Sequence, residues 1–262
     1  MKIIILGSGG FLPSPLPLCH CDICKKTQTR IGPSVFIPEL ELLIDTPESV
    51  YQKFVNTDLK ISNVLYSHWH PDHTAGYRIF EYLHYSKNNK KPTVHLNKKL
   101  LESFKDRFSV LNYYKDREFI KMNEVSGDLI IKDAQIKFLK MRNDFSVSYL
   151  IKSKEKNVLV IMDHSKDFII EDVGEKIDLL VMNFGSYHKK INTTHKCSIN
   201  KSETDFIRDN LNIIKKLKPK KTVFLHIDPI WNLSEDDLRR IEEDYSDYNI
   251  FFSFDGMNLT SR

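Results

Sequence analysis

The chemistry in this sequence is concentrated in a few short stretches. Ser67-His68-Trp69-His70-Pro71-Asp72-His73 places four residues of metal-ligand type between positions 68 and 73. In extended chain, side chains two positions apart share a face, so His68 and His70 can reach one cation. Asp72 and His73, where the chain turns into a helix, can serve a second cation beside it. Two cations ~3.5–4 Å apart activate a water and steady a phosphoryl leaving oxygen. A second cluster is Cys19-x-Cys21-x-x-Cys24, with Cys197 far along the chain. Cysteines so close together do not pair off easily as disulfides, and in a reducing compartment the pattern reads as a metal site.

These residues need elements to bring them together. Three apolar runs each deliver a potential ligand at the C-terminal end: Asn63-Val-Leu-Tyr66 leads to His68, Val158-Leu-Val-Ile-Met162 to Asp163, and Thr222-Val-Phe-Leu225 to His226. In layered α/β folds that end of the strands is where ligands gather. Strands are expected at Lys2–Leu6, Ser34–Ile37, Leu42–Ile44, Val64–Tyr66, Thr93–Leu96, Ile136–Leu139, Val147–Ile151, Val158–Met162, Leu179–Met182, Thr222–Leu225 and Ile250–Phe252. Ser202-Glu-Thr-Asp205 reads as the capped start of a helix carrying Phe206, Leu211, Ile214 and Leu217 on one face, and Ser234-Glu-Asp-Asp237 opens another. A third helix is expected after His73, with Ile79, Phe80 and Leu83 inward. Ser86-Lys-Asn-Asn-Lys-Lys-Pro92 reads as an exposed loop. Many strands and few helices predict an α/β fold of two packed sheets flanked by helices.

Composition narrows the classes. At 262 residues the chain fits one domain spanning 1–262, long enough to hide a large core. With 41% hydrophobic and 28% charged residues it is neither disordered, collagen-like nor a membrane bundle. The net charge of +4 tolerates a small phosphorylated substrate but gives no strong nucleic-acid signal. The apolar N-terminal run stops at Gly7, short of a secretory signal, and no run approaches the ~18 apolar residues of a membrane span. A cytoplasmic protein with no membrane partner is expected.

The His-x-His-x-Asp-His run from His68 to His73 resembles the signature of the metallo-β-lactamase superfamily, which implies a four-layer αββα sandwich and metal-dependent hydrolysis. Four further features are similar to the phosphoribosyl 1,2-cyclic phosphodiesterase group of the carbon–phosphorus lyase pathway. They are Gly7-Ser-Gly-Gly10, the cysteine cluster, Thr222–Asp228 with His226, and the closing Phe254-Asp-Gly-Met257. The resemblance runs from the first strand to the last few residues. It implies two divalent ions, zinc or manganese: one on His68 and His70, the other on Asp72, His73 and His226, with Asp163 bridging. It also implies a structural zinc on Cys19, Cys21 and Cys24, and support of the histidine loop by Asp45. His195 falls where the group carries a general acid or phosphate-holding histidine, and Asp72 and His195 form the implied catalytic pair. The implied reaction is hydrolysis of a small phosphodiester, cyclic ones included, by metal-activated water, in a chain that could form a homodimer.

The sequence departs from the group twice. The first metal's usual third histidine should fall within Lys140-Met-Arg-Asn-Asp-Phe145, where none stands, leaving His164, Asn143 or water to complete that site. Pro229 stands where the group closes its structural zinc with histidine, leaving Cys197 or His20 as the fourth ligand. Three other readings remain open: a nuclease resembling ribonuclease Z, an iron-dependent oxidative enzyme resembling pyrroloquinoline quinone biosynthesis protein B, and a binding module without metal.

Overall fold

A computed structural model of the chain describes residues 1–86, 91–185 and 206–260, with side chains assigned in the last segment from residue 209 onward. Two seven-stranded sheets form its centre. The first contains β1 (Ile3–Gly7), β2 (Ser34–Ile37), β3 (Leu42–Ile44), β4 (Asn63–Leu65), β5 (Thr93–Asn97), β6 (Lys121–Val125) and β14 (Met257–Leu259), in the order β14-β1-β2-β3-β4-β5-β6. The second contains β7 (Leu129–Ile131), β8 (Ala134–Lys140), β9 (Val147–Lys152), β10 (Asn157–Ile161), β11 (Leu179–Asn183), β12 (Lys221–Leu225) and β13 (Ile250–Phe252), in the order β13-β12-β11-β10-β9-β8-β7. Both sheets are mixed. β3 to β6 run parallel, as do β10 to β13, while β1–β2–β3 and β7–β8–β9–β10 pair antiparallel.

Side-chain alternation assigns the layers. In β10, Val158 and Val160 join the core shared with Ile5, Val35 and Val64 of the first sheet, while Leu159 and Ile161 face a second core. β11 and β12 repeat this: Val181 and Val223 point to the other sheet, and Met182 and Phe224 point away from it. The second core is completed by Ile213 and Ile214 of α6 (Phe206–Leu217) and by Leu238 and Ile241 of α7 (Glu235–Asp244). On the outer side of the first sheet lie α3 (Ile79–Tyr85), α4 (Lys98–Arg107) and α5 (Val110–Asp116), which contribute Phe80, Phe104 and Leu111. The order of layers is helix, sheet, sheet, helix, as expected. Strands covered on both faces read as unbroken apolar runs, which is why β10, β11 and β12 were plain in the sequence.

The expected strands are present, three of them with the expected ends and the rest with ends shifted by at most two residues. β6, β7 and β14 were not anticipated: β6 is a polar edge strand, and β7 and β14 are three residues each. The helices α1 (Asp22–Lys26), α4 and α5 were also missed, although Asn97 caps α4 by accepting from the Leu100 amide at 3.0 Å. The helix expected after His73 is divided into α2 (Pro71–Thr74), a 3₁₀ turn (Ala75–Arg78) and α3. Gly76 sits in that turn with its amide on Thr46 O at 2.8 Å, and a Cβ there would overlap the Pro47 carbonyl. Ile79 and Phe80 are buried as expected, and Leu83 packs half-buried against the same core. The α7 start is as read: Ser234 and Asp237 form a reciprocal capping box. The Ser202–Asp205 start of α6 and the centre of the Ser86–Pro92 loop lie outside the described residues. No described helix is long and apolar enough to cross a membrane.

Candidate metal centre

The candidate ligand residues leave the C-terminal ends of β4 in the first sheet and of β10 and β12 in the second, and are fixed by the loops that follow. β4 leads to Ser67, whose amide and hydroxyl donate to the two Asp45 carboxylate oxygens at 2.7 and 2.6 Å. Asp45 follows β3, is fully buried, and also holds His73 Nδ1 at 2.7 Å through Oδ2. The Ser67 hydroxyl is 3.0 Å from His68 Nδ1, and Asp228 Oδ2 is 3.3 Å from His226 Nδ1. In each of these histidines Nδ1 is engaged from outside, which leaves Nε2 to face the centre.

Two ligand clusters result. His68, His70, Asp163 and His164 bring ligand atoms within 4.8 Å of one another, and so do Asp72, His73 and His226. Asp72 Oδ2 is 3.2 Å from His73 Nε2 and 3.3 Å from His226 Nε2. Asp163 Oδ2 is 3.8 Å from His68 Nε2 and 3.2 Å from His164 Nε2. The clusters adjoin, with the His68 and His73 ring centroids 4.1 Å apart. The structure therefore brings together His68, His70, Asp72, His73, Asp163 and His226 from three separate stretches of chain.

Whether the centre suits cations is decided by its orphaned atoms. Nε2 of His68, His73, His164 and His226 is buried in each case and makes no hydrogen bond of good geometry, its nearest polar neighbour being a carboxylate oxygen of Asp72 or Asp163 at 3.2–3.8 Å. Four buried imidazole nitrogens turned on two carboxylates in one small volume, none of them well bonded, have a common explanation in shared cations. Imidazole nitrogens with carboxylate oxygens are a donor set for zinc and related divalent ions.

The charges are tightly interleaved. Burial, reinforced by the neighbouring His73 and His70, pushes His68 well below the ordinary imidazole value. His73 is pushed up to about 10: burial opposes this, but Asp72 and Asp45 outweigh it. His226 is also driven up against its burial, by Asp163, Asp228 and Asp72. Burial would raise Asp72 and Asp163, but the surrounding histidines hold both carboxyls low. Carboxylates that hold protons on two imidazoles can hold cations in their place.

A third group of residues fixes the glycine loop beside this centre. Asp255 accepts from the Ser8 amide at 2.9 Å, the Ser8 hydroxyl at 2.8 Å and the Ile31 amide at 3.0 Å. Buried Arg30 donates to Ser8 Oγ at 2.9 Å, Ser253 O at 2.5 Å and Glu235 at 2.8 Å. The loop then pairs with the end of β12 through a Gly9–Ile227 bridge, and Asp228 accepts from the Leu12 amide at 3.1 Å. Sequence reasoning missed Asp228, Arg30 and Asp255 as supports. Asp228 and Asp255 stand within the Thr222–Asp228 and Phe254-Asp-Gly-Met257 stretches, but local spacing does not give their supporting role, since His226 has φ 61° and the chain is not extended there.

Cys19, Cys21 and Cys24 come together, their sulfurs within 4.8 Å, and Cys21 caps α1 by accepting from the Cys24 amide at 3.4 Å. Burial pushes the Cys24 thiol up to about 11. His20 is exposed and does not join them; Cys197 and His195 lie outside the described residues. Asn143 is not in the first cluster. Its Oδ1 accepts from Ser146 N at 2.9 Å and Ser146 Oγ at 2.8 Å, and its Nδ2 donates to Asp167 at 3.0 Å, so its amide is spent on the loop. Asp163 groups with His68 and His70, while the charge of His226 also acts on its carboxyl.

The chain has the metallo-β-lactamase fold. A diphosphatase of the PhnP family superposes with a TM-score of 0.71 at 21% identity, over 99% of this chain and 97% of that one. The metallo-β-lactamase fold protein YhfI from Bacillus subtilis gives 0.70 at 14% identity, over 99% of each chain. Zinc-bound PqqB from Methylobacterium extorquens gives 0.66 at 16% identity, over the whole of both chains. No protein-family model and no curated protein matches the sequence.

Proposed function

We propose that the chain is a metal-dependent hydrolase of small phosphodiesters, cyclic ones included. The observation that carries this reading is the set of buried Nε2 atoms of His68, His73, His164 and His226, none well hydrogen-bonded, turned on Asp72 and Asp163. His68, His70 and Asp163 would hold one cation and Asp72, His73 and His226 the other, with Asp163 shared. Zinc and manganese both suit the donor set. Cations so held supply water activation near neutral pH and charge neutralisation at a leaving oxygen.

The chain's own residues do the remaining work. Asp45, Ser67 and Asp228 fix the Nδ1 side of the imidazoles, so ring orientation does not depend on substrate. Asp72 sits between His73 and His226 with its carboxyl held ionised by them. Such a centre would serve acyl as well as phosphoryl transfer. Phosphorus is favoured by the resemblance of the glycine loop, cysteine cluster and C-terminal motif, and by the likeness to a diphosphatase. His195 is assigned, on that resemblance, the delivery of a proton to the leaving oxygen, and the cysteine cluster is assigned a structural zinc.

The test is turnover by protein reconstituted with zinc or manganese, assayed on a cyclic ribose phosphodiester, an aryl phosphodiester, a diphosphate diester, a β-lactam and a thioester. Phosphodiester turnover that a chelator abolishes is expected. Inactivity of the metal-loaded protein on every phosphorus ester would reject the reading, and oxygen consumption with iron would replace it with an oxidative one. His195→Ala should lower turnover by roughly 10²–10⁴, the usual worth of a general acid. The loss should be greater on the cyclic alkyl ester than on the aryl ester, whose good leaving group needs less protonation. An equal deficit on both would remove His195 from proton delivery.

A further inference from the structure

We infer that His164 is the fourth ligand of the first cation, so that one turn after β10 supplies two neighbouring ligands, Asp163 and His164. The inference concerns the metal set on which the hydrolase reading rests. His164 lies in the same 4.8 Å group as His68, His70 and Asp163, and its Nε2 is buried with no hydrogen bond of good geometry. Its ring centroid is 5.2 Å from that of His68 and 5.6 Å from that of His70.

The backbone of the turn is fixed so that the ring reaches the cluster. His164 has φ 56° and ψ 37°, the left-handed region that favours glycine. In this turn the left-handed backbone carries the imidazole to the cluster. The turn is braced on both sides. The His164 amide donates to Asp163 Oδ1 at 2.7 Å, and the following Ser165 hydroxyl donates to Asn210 Oδ1 at 2.5 Å. Asn210 is fully buried on α6 and donates to Asn183 O at 3.0 Å and Phe184 O at 2.9 Å, tying the turn to the end of β11.

Residues between β8 and β9 offer no competing ligand, Asp144 being exposed and outside the cluster. Asn143 is committed to Ser146 and Asp167, and Phe145 sets its ring 5.1 Å from His164 and 5.6 Å from His70 as an apolar wall. Three imidazoles and one carboxylate give a four-donor set, which zinc accepts and related divalent ions tolerate.

The experiment is cobalt(II) titration of metal-free full-length protein, wild type against His164→Gly and His164→Asn. Both replacements tolerate the left-handed backbone, so both should fold, which circular dichroism and melting temperature check. Thiolate charge-transfer absorption reports the cysteine cluster separately from the ligand-field bands of the histidine centre. The variants should lose one cobalt equivalent from the histidine centre, with affinity there falling by more than the roughly 10–100-fold typical of an outer partner. The thiolate band should be unchanged, and added imidazole should restore the lost equivalent in His164→Gly. Wild-type stoichiometry and affinity in both variants would overturn the inference, as would an equal loss at the cysteine and histidine centres that imidazole leaves unrepaired. The readout is metal binding, so absence of phosphodiester turnover in the wild type would reject the function without touching this assignment.

Discussion

Gly10 sits where loop geometry becomes ligand geometry. A Cβ at this position would overlap the Asp228 carboxylate, which lies 3.3 Å from His226 Nδ1. Gly10→Ala is therefore expected to displace Asp228 and loosen His226, weakening the cation shared with Asp72 and His73 by roughly 10–100-fold, as loss of an outer partner typically does. Asp228→Asn should weaken the same cation. Because both changes act through one contact, their effects should not add in a double-mutant cycle, read by competition with a chromophoric chelator. Additive losses would place the action of Gly10 elsewhere. The candidate ligands themselves were legible in the sequence, since His68, His70, Asp72 and His73 are neighbours and strand ends announced Asp163 and His226. Asp228, Gly10 and Arg30 were not, because their roles depend on a loop near the N-terminus meeting the end of β12, a contact no local spacing encodes. His164 was legible only as one of several ways to fill a gap, until its position beside His68 and His70 separated it from Asn143.

Elements were legible in proportion to how fully they are covered. β10, β11 and β12 lie between two apolar layers and read as apolar runs. β6, with the sequence KMNEV and mostly exposed side chains, forms the sheet edge and carries no such run. Helix starts followed the same logic when the cap was local. Ser234 accepts from the Asp237 amide, and Asp237 returns the bond to the Ser234 amide at 3.0 Å. Removing the hydroxyl by Ser234→Ala should cost ~1 kcal/mol, the usual value of such a cap. For a chain of this size that corresponds to a fall of roughly 2–4 °C in melting temperature. Cobalt affinity at the histidine centre should stay at the wild-type value, since the cap touches no ligand. An unchanged melting temperature would mean that the first turn of α7 is held by its packing, through Leu238 and Ile241, rather than by its cap.

At the scale of the whole molecule, the two sheets are locked at the end where the candidate metal centre lies and carry a different polar device on the outer strands of the first sheet. Arg30 and Asp255 gather the first strand's exit, the segment before β2 and the C-terminal turn into one buried knot beside the centre. Farther out, a polar ladder crosses β4, β5 and β6. His95 Nε2 is 3.0 Å from Asn63 Oδ1, and Asn123 Nδ2 is 3.0 Å from His95 Nδ1. The arrangement suits a neutral imidazole, with Nε2–H donating to Asn63 and Nδ1 accepting from Asn123. A proton on Nδ1 would face the Asn123 amide hydrogens. Burial pushes the His95 pKa down to about 4 from the ordinary 6.5. The sign of the linkage follows: between those values the unfolded chain holds a proton that the native chain excludes, so stability rises with pH. The contribution is fully present above pH 6.5 and is lost as pH falls toward 4. His95→Gln, which keeps an amide between the two asparagines but cannot titrate, should remove this part of the pH dependence. Urea denaturation of chelator-treated wild type and variant, followed from above pH 6.5 down toward 4, isolates it, because every other titrating group cancels in the difference. Wild type should lose stability relative to the variant across that window. A constant difference between the two proteins would show that His95 does not set the acid side of the stability profile.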